Sequence, residues 1–246
     1  MTPIFLFNTL AFLLGACLAS FLMAWALRLP NPNETLLLPS RCRGCNNELR
    51  WYQLIPIFSW IIQGGRCGCR KLNLSPQYIF SEIFLGLVFV TLIQFSTTPL
   101  ELIGYLVFAF FLFFFFLTDS FYELLHTPMM LICIALGLTF SFYADRGIWS
   151  LAGAGGGFVL LWATNKIFLI IRHKDGLGSG DKYLLAAIGS WVGLPNSLLI
   201  LFAGSWLGAL WLMLLYSQKK RVSQLPLGSL MVVATPLVLL FKYHLN

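Results

Sequence analysis

The chain has 246 residues, of which 59% are hydrophobic and only 10% charged, and its mean hydropathy is +0.82. A soluble globular domain carries about 25% charged residues, so these figures exclude one, and with it a disordered chain, a collagen-like fibre and a secreted disulfide scaffold. The net charge of +7 does not call for nucleic acid as a partner, because membrane proteins gather Lys and Arg on their cytoplasmic side, where they meet anionic lipid.

A hydrocarbon core of ~30 Å needs about 20 apolar residues at ~1.5 Å each. Residues 1–27 carry no charge and lack the basic n-region of a signal peptide, which predicts a retained first transmembrane helix. Residues 28–77 form the one long polar stretch, a Cys-rich segment between the first two spans. The remainder, 78–246, is a multi-span region. It holds apolar stretches at 83–100, 102–118, 124–144, 147–165 and 222–241. Between them, 183–218 is uncharged for 36 residues, ~54 Å as a single helix, enough for two crossings with a turn at Pro195 and Asn196. The small-residue patch at 152–157, Ala-Gly-Ala-Gly-Gly-Gly, predicts close helix packing.

Eight spans place 13 of the 16 Lys and Arg on one face: those of 28–71, those of 172–182, and Lys219, Lys220 and Arg221. Arg146 and Lys242 remain opposite, and Lys166 lies inside a span near its inner end. The positive-inside rule therefore favours an all-α polytopic membrane protein of about eight transmembrane helices with both termini outside.

Of six cysteines, Cys17 and Cys133 fall in apolar stretches and read as small core residues. Cys42 and Cys45 form a CxxC, and Cys67 and Cys69 follow as a CxC. On a reducing cytoplasmic face four thiolates suit tetrahedral zinc, which would staple a 50-residue segment with little core; the alternative is a degenerate site with free thiols. Nine acidic residues are few enough to weigh singly. Glu34 and Glu48 lie in the polar segment, and Glu82, Glu101, Glu123 and Asp145 near span ends, where an interfacial carboxylate is ordinary. Asp119 ends a Phe-rich span, while Asp181 closes a Gly-rich turn and opens the next apolar helix, at the same cytoplasmic depth. Two carboxyls that meet share one proton and so join a base to an acid, the aspartic-protease arrangement. Gly178 and Gly180 leave room there for a substrate strand; the other reading is a Gly-rich loop with Asp181 as a helix cap.

These residues carry a family likeness. Residues 178–193, Gly-Ser-Gly-Asp-Lys-Tyr-Leu-Leu-Ala-Ala-Ile-Gly-Ser-Trp-Val-Gly, resemble the second aspartate motif of the bacterial prepilin peptidases, the Gly-x-Gly-Asp membrane aspartic proteases. Residues 39–45, Pro-Ser-Arg-Cys-Arg-Gly-Cys, with 49–60 and the Gly-Arg-Cys of 65–67, resemble that family's Cys-rich cytoplasmic domain, and 15–30 its first helix and exit. The likeness implies an enzyme of the bacterial inner membrane that cleaves leader peptides of type IV prepilins or pseudopilins after a glycine on the cytoplasmic side. It implies N-methylation of the new N-terminus from S-adenosylmethionine as well. Asp119 and Asp181 match the catalytic pair, Gly178 and Gly180 the motif glycines, Cys42, Cys45, Cys67 and Cys69 the zinc ligands. Gly65 and Arg66 match a Gly-Lys before the third cysteine and mark the methyl-transfer region.

The chain departs from the family pattern at Cys67-Gly-Cys69, where a second CxxC is usual, at Tyr183, where Lys is common, and at Leu125-His-Thr-Pro128, in place of Leu-Pro-Asn or Leu-Pro-Asp. Neither aspartate is affected. A membrane metal-binding or proton-coupled transport protein using the same carboxylates and thiolates is the alternative. It would want polar groups through the bilayer, and the spans offer almost none.

Overall fold

A computed structural model describes residues 3–31, 34, 38–42, 45–67, 69, 73–173, 178–217 and 227–245. The basic cluster Lys219, Lys220 and Arg221 lies outside the described residues, as do Gly44 and Gly68 within the Cys motifs and Gly176 and Leu177 ahead of Gly178. The described residues hold a single 3-10 turn, Trp51–Leu54, and the α-helices α1 (Pro3–Arg28), α2 (Phe58–Ile62), α3 (Gln77–Phe95), α4 (Pro99–Tyr122), α5 (Thr127–Tyr143), α6 (Gly147–Arg172), α7 (Asp181–Val192), α8 (Leu194–Ser217) and α9 (Leu227–Leu245). Helices α1, α3, α4, α6 and α8 are long and apolar enough to cross a membrane, and α5 and α9 are shorter apolar helices. The protein is an all-α, multi-pass membrane protein.

Apart from the five-residue α2, the described residues hold eight helices, the number of spans that the charge pattern favours. One differs in kind from the expectation. Helix α7 has 12 residues, ~18 Å, and falls short of a ~30 Å core. The turn that ends it is at Gly193, with φ +79°, two residues before Pro195 and Asn196. Pro195 instead occupies the first turn of α8, where its missing N–H costs nothing and its fixed φ suits a helix. Helix α4 likewise opens on Pro99, and Glu101 accepts from the Thr97 N–H and hydroxyl at 3.1 and 2.6 Å while its own N–H reaches Thr98 Oγ1.

The chain divides into two compact units, Met1–Phe114 and Phe115–Asn246. In the first, α1 packs on α3 through small residues. A Cβ on Gly15 would stand 2.6 Å from the Leu85 carbonyl oxygen, and one on Gly86 would stand 2.8 Å from the Phe12 ring. Phe114 is buried and lies 4.7 Å from the Trp25 ring, so part of the Phe run serves as core. Cys17 is exposed on α1 and is not the core residue its apolar neighbours suggest. Those neighbours include exposed Phe5, Phe7, Leu14 and Phe21, a face suited to lipid.

In the second unit α7 is the buried centre, with Leu184 to Ser190 all buried. Gly153 of the small-residue patch meets Gly189 of α7 reciprocally: a Cβ on either would run into the carbonyl oxygen of the other. The patch thus packs helices, as its composition predicts, and Gly155 alone faces open space. Against α5, the Trp191 indole N–H donates to the carbonyl of buried Cys133 at 3.1 Å, and the Ser141 hydroxyl donates to Ser190 O at 3.0 Å. Gly189→Val forces a branched side chain into this contact. It is expected to destabilise the second unit by about 1–3 kcal/mol, the range of overpacked cores, seen as a lowered melting temperature of the purified protein. An unchanged melt would mean that α6 and α7 do not pack at these glycines.

Candidate active site

Helix α4 carries Asp119 one turn from its end, directly after the Phe run. The chain leaves the helix through Glu123, at φ 52°, with Glu123 N–H bonded to Asp119 O at 2.9 Å. The short link that follows sets Leu125 against the Gly-rich loop, where a Cβ on Gly180 would come within 2.5 Å of Leu125 Cβ. Glycine is therefore needed at 180 for the loop to approach the α4–α5 link. The next residue, Asp181, opens α7, and the Tyr183 and Leu184 N–H groups bond back to Gly180 O at 2.9 and 3.0 Å. Gly178 lies against the Asp181 carboxyl: a Cβ there would be 3.0 Å from Oδ2, and the Gly178 N–H donates to that carboxylate.

These elements place the two carboxyls within electrostatic reach of each other. Asp119 is 5% and Asp181 7% exposed, and the charge on Asp119 acts directly on Asp181. Among the described residues neither has a cationic partner, and the ion pair present, Arg41 with Glu48 at 3.3 Å, is in the Cys-rich segment. Like charges buried within electrostatic reach of each other and without a counter-ion oppose each other's ionisation.

Asp119 has a third neighbour that the sequence did not single out. The Ser229 N–H, in the first turn of α9, donates to Asp119 Oδ2, and the Ser229 hydroxyl bonds to the same carboxylate. A Cβ on Gly228 would lie 3.0 Å from Asp119 Cγ and Oδ2 and 3.1 Å from Oδ1. In the sequence these residues are only part of an apolar stretch. The available signal was a Gly-Ser at the start of a helix, just after Pro226.

Beside the loop opens a cavity of about 380 Å³, lined on the α6 side by Leu161, Trp162 and Leu169 and on the loop side by Gly178 and Ser179. Lys182 also lines it, its ammonium 5.9 Å from the Phe158 ring and 5.5 Å from the Tyr183 ring.

In the first unit the Cys-rich segment contains two hairpins of the same register. Arg41 bridges Glu48, with Leu49 N–H bonded to Ser40 O; Arg66 bridges Asn73, with Leu74 N–H bonded to Gly65 O. Gly65, at φ +67°, starts the second hairpin against the Trp60 ring, and exposed Arg66 follows it. The sulfurs of Cys42, Cys67 and Cys69 cluster within 4.8 Å, with Cys42 at 2.8 Å from Cys67 and 3.6 Å from Cys69. Cys45 touches Cys69 and Cys42 without joining that tight set. Tetrahedral zinc with ~2.3 Å bonds separates its sulfurs by about 3.8 Å, which the Cys42–Cys69 distance matches, whereas Cys42 and Cys67 would have to part by about 1 Å to hold such an ion. Burial, with the neighbouring Cys42 thiol adding to it, pushes the Cys67 thiol up to about 12, which is the condition a bound cation reverses.

Glu82 differs from the expectation of an ordinary interfacial group. It is buried in α3 and accepts the Ile57 N–H at 2.6 Å. Ile57 is held at φ 65°, a strained position for a β-branched residue.

A model of the bacterial peptidase A24 N-terminal domain matches residues 13–95, and one of the type IV leader peptidase family matches residues 106–214. The chain is 31% identical over 212 residues to the prepilin leader peptidase/N-methyltransferase of Myxococcus xanthus (strain DK1622), covering 83% of this chain and 62% of that protein. It is 30% identical over 207 residues to the protein of the same name from Klebsiella pneumoniae, covering 80% of this chain and 91% of the relative. With the Pseudomonas putida protein of that name the identity is 29% over 231 residues, 83% and 79% of the two chains. No solved structure matches the chain.

Proposed function

Since this chain belongs to the type IV leader peptidase family, we propose that it is an aspartic endopeptidase of the bacterial inner membrane. Its substrates are type IV prepilins or pseudopilins, cleaved after the leader's last glycine on the cytoplasmic side. The observation that carries this reading is that Asp119 and Asp181 are both buried within electrostatic reach of each other, with no ion pair to either among the described residues. The ionised member takes a proton from water while the protonated one donates to the scissile carbonyl. The water oxygen bonds to the carbonyl carbon, and collapse of the tetrahedral adduct breaks the C–N bond as a proton passes to the leaving nitrogen. No covalent enzyme intermediate forms. Gly178 and Gly180 shape the loop that carries Asp181, and the cavity beside it, lined by Trp162 and Leu169 together with Asn165, Lys166 and Lys182, offers room for a substrate segment. The cytoplasmic orientation rests on the Lys and Arg distribution.

The relatives' names include N-methyltransferase, and for this chain we place methyl transfer from S-adenosylmethionine near Gly65 and Arg66 in the Cys-rich segment. Cys42, Cys45, Cys67 and Cys69 would hold zinc, whose role there is to tie the two hairpins together.

In cells co-expressing this chain with a type IV prepilin, Asp119→Asn and Asp181→Asn are each expected to abolish leader removal on an immunoblot while the variant protein still accumulates. Continued processing by both variants would falsify the peptidase reading. Because one carboxyl must be ionised and the other protonated, cleavage by the purified enzyme is expected to follow a bell-shaped pH profile, and a flat profile through the acid range would contradict the shared proton. Metal analysis is expected to find about one zinc per chain, lost together with a fall in melting temperature in Cys42→Ser. Folded parent protein without metal would remove the staple.

A further inference from the structure

The mechanism above uses Asp119 and Asp181, yet only one of them is gripped from a distant part of the chain. Asp119 and Ser229 are 110 residues apart, and the first turn of α9 delivers both the Ser229 N–H and the Ser229 hydroxyl to one carboxylate. Gly228 makes this approach possible. All three carboxyl heavy atoms of Asp119 lie 3.0–3.1 Å from where its Cβ would be, so the turn seats against the flat face of the carboxyl. That spacing is tighter than ordinary side-chain contact, and a carboxyl buried among packed helices has no free space into which to withdraw. The conformation of Gly228 lies outside the left-handed region that favours glycine; it is the contact with Asp119 that asks for a missing side chain.

We infer that Gly228 is a positioning residue for the peptidase reaction, its bare Cα allowing the α9 N-terminus to hold the Asp119 carboxyl in the orientation that the reaction uses. This rests on the peptidase reading given above. Gly228 touches neither substrate nor water; it acts through the placement of Asp119. Two effects combine at the site. The backbone N–H and hydroxyl of Ser229 fix the orientation of the carboxyl, and the partial positive charge of the helix start supports a negative charge on a group that no cation reaches among the described residues. A displaced carboxyl keeps its charge and loses its aim, and a misplacement of ~1 Å can cost about 100-fold in rate.

The test uses the full chain purified in detergent with a purified type IV prepilin as substrate. Gly228→Ala is expected to lower kcat by about 100-fold while KM stays within about threefold, because substrate binding does not involve this contact. Gly155→Ala, the same change on a helix face with open space, is expected to keep the parent constants. Asp119→Asn is run alongside. Its inactivity combined with a parent kcat for Gly228→Ala would overturn the inference and leave the peptidase reading standing, whereas activity in Asp119→Asn would remove both. Thermal unfolding keeps the test decisive even where Gly228→Ala is too unstable to assay. The inference requires that Gly228→Ala lower the melting temperature much less in an Asp119→Ala background than in the parent. Equal losses in the two backgrounds would show that the added methyl meets something other than Asp119 and would overturn it.

Discussion

Two carboxyls have to be kept in a protein interior where an isolated ion is expensive, and the arrangement of the second unit follows from how that cost is met. No lysine or arginine forms an ion pair with them among the described residues; the only stabilising partners shown are backbone N–H groups, a hydroxyl and helix starts. Asp181 is the first residue of α7 and receives the Gly178 N–H. Asp119 receives the first turn of α9. A helix start is worth only about 0.3–1 kcal/mol at an exposed site and up to ~2 kcal/mol when partly buried. That supports one negative charge far better than two, which is the condition that the proposed acid and base pair requires.

This solution needs backbone close to side chain, and glycine supplies it repeatedly. Gly180 lets the loop reach Leu125, Gly178 lies on the Asp181 carboxyl, Gly228 on that of Asp119, and Gly153 and Gly189 bring α6 and α7 to backbone contact. In a bilayer, helices gain little from hiding apolar surface from one another, because lipid is as apolar as leucine; close approach and interhelical hydrogen bonds must do the work. Helix α7 shows the consequence. It is too short to cross a bilayer, is enclosed by protein over most of its length, and is tied to α5 by Trp191 and Ser190. Its ends are therefore placed by packing, and with them Asp181.

Much of this was legible before any coordinates. With 10% charged residues, the few acidic groups stood out, and Asp119 and Asp181 were marked by apolar neighbours on one side and small residues on the other. The Lys and Arg distribution pointed to about eight spans, and the all-α, multi-pass architecture agrees, although α7 is too short to be one of them. What escaped has physical reasons. Gly228 and Ser229 act on a group 110 residues away, and neither periodicity nor local spacing carries information over such a distance. Cys17 was placed in a core because soluble patterning equates apolar with buried, whereas in a membrane the lipid face and the core face are equally apolar. Pro195 drew the turn two residues too late: proline marks helix starts as readily as turns, and the left-handed backbone belongs to Gly193. Glu82 looked like an ordinary interfacial acid, and only the fold shows the Ile57 N–H waiting for it.

The Cys-rich segment shows how a departure in spacing is absorbed. Both hairpins close with the same bridge seven residues apart, Arg41 to Glu48 and Arg66 to Asn73, and with the same flanking hydrogen bond. Backbone register is thus preserved, and only the last cysteine has moved, standing one position earlier in the second hairpin than Cys45 does in the first. With register kept, Cys69 still reaches Cys42 at 3.6 Å, and it is Cys45, in the arm of ordinary spacing, that stands outside the tight set of three. The altered spacing therefore leaves both bridges in place and shows only in where one sulfur stands.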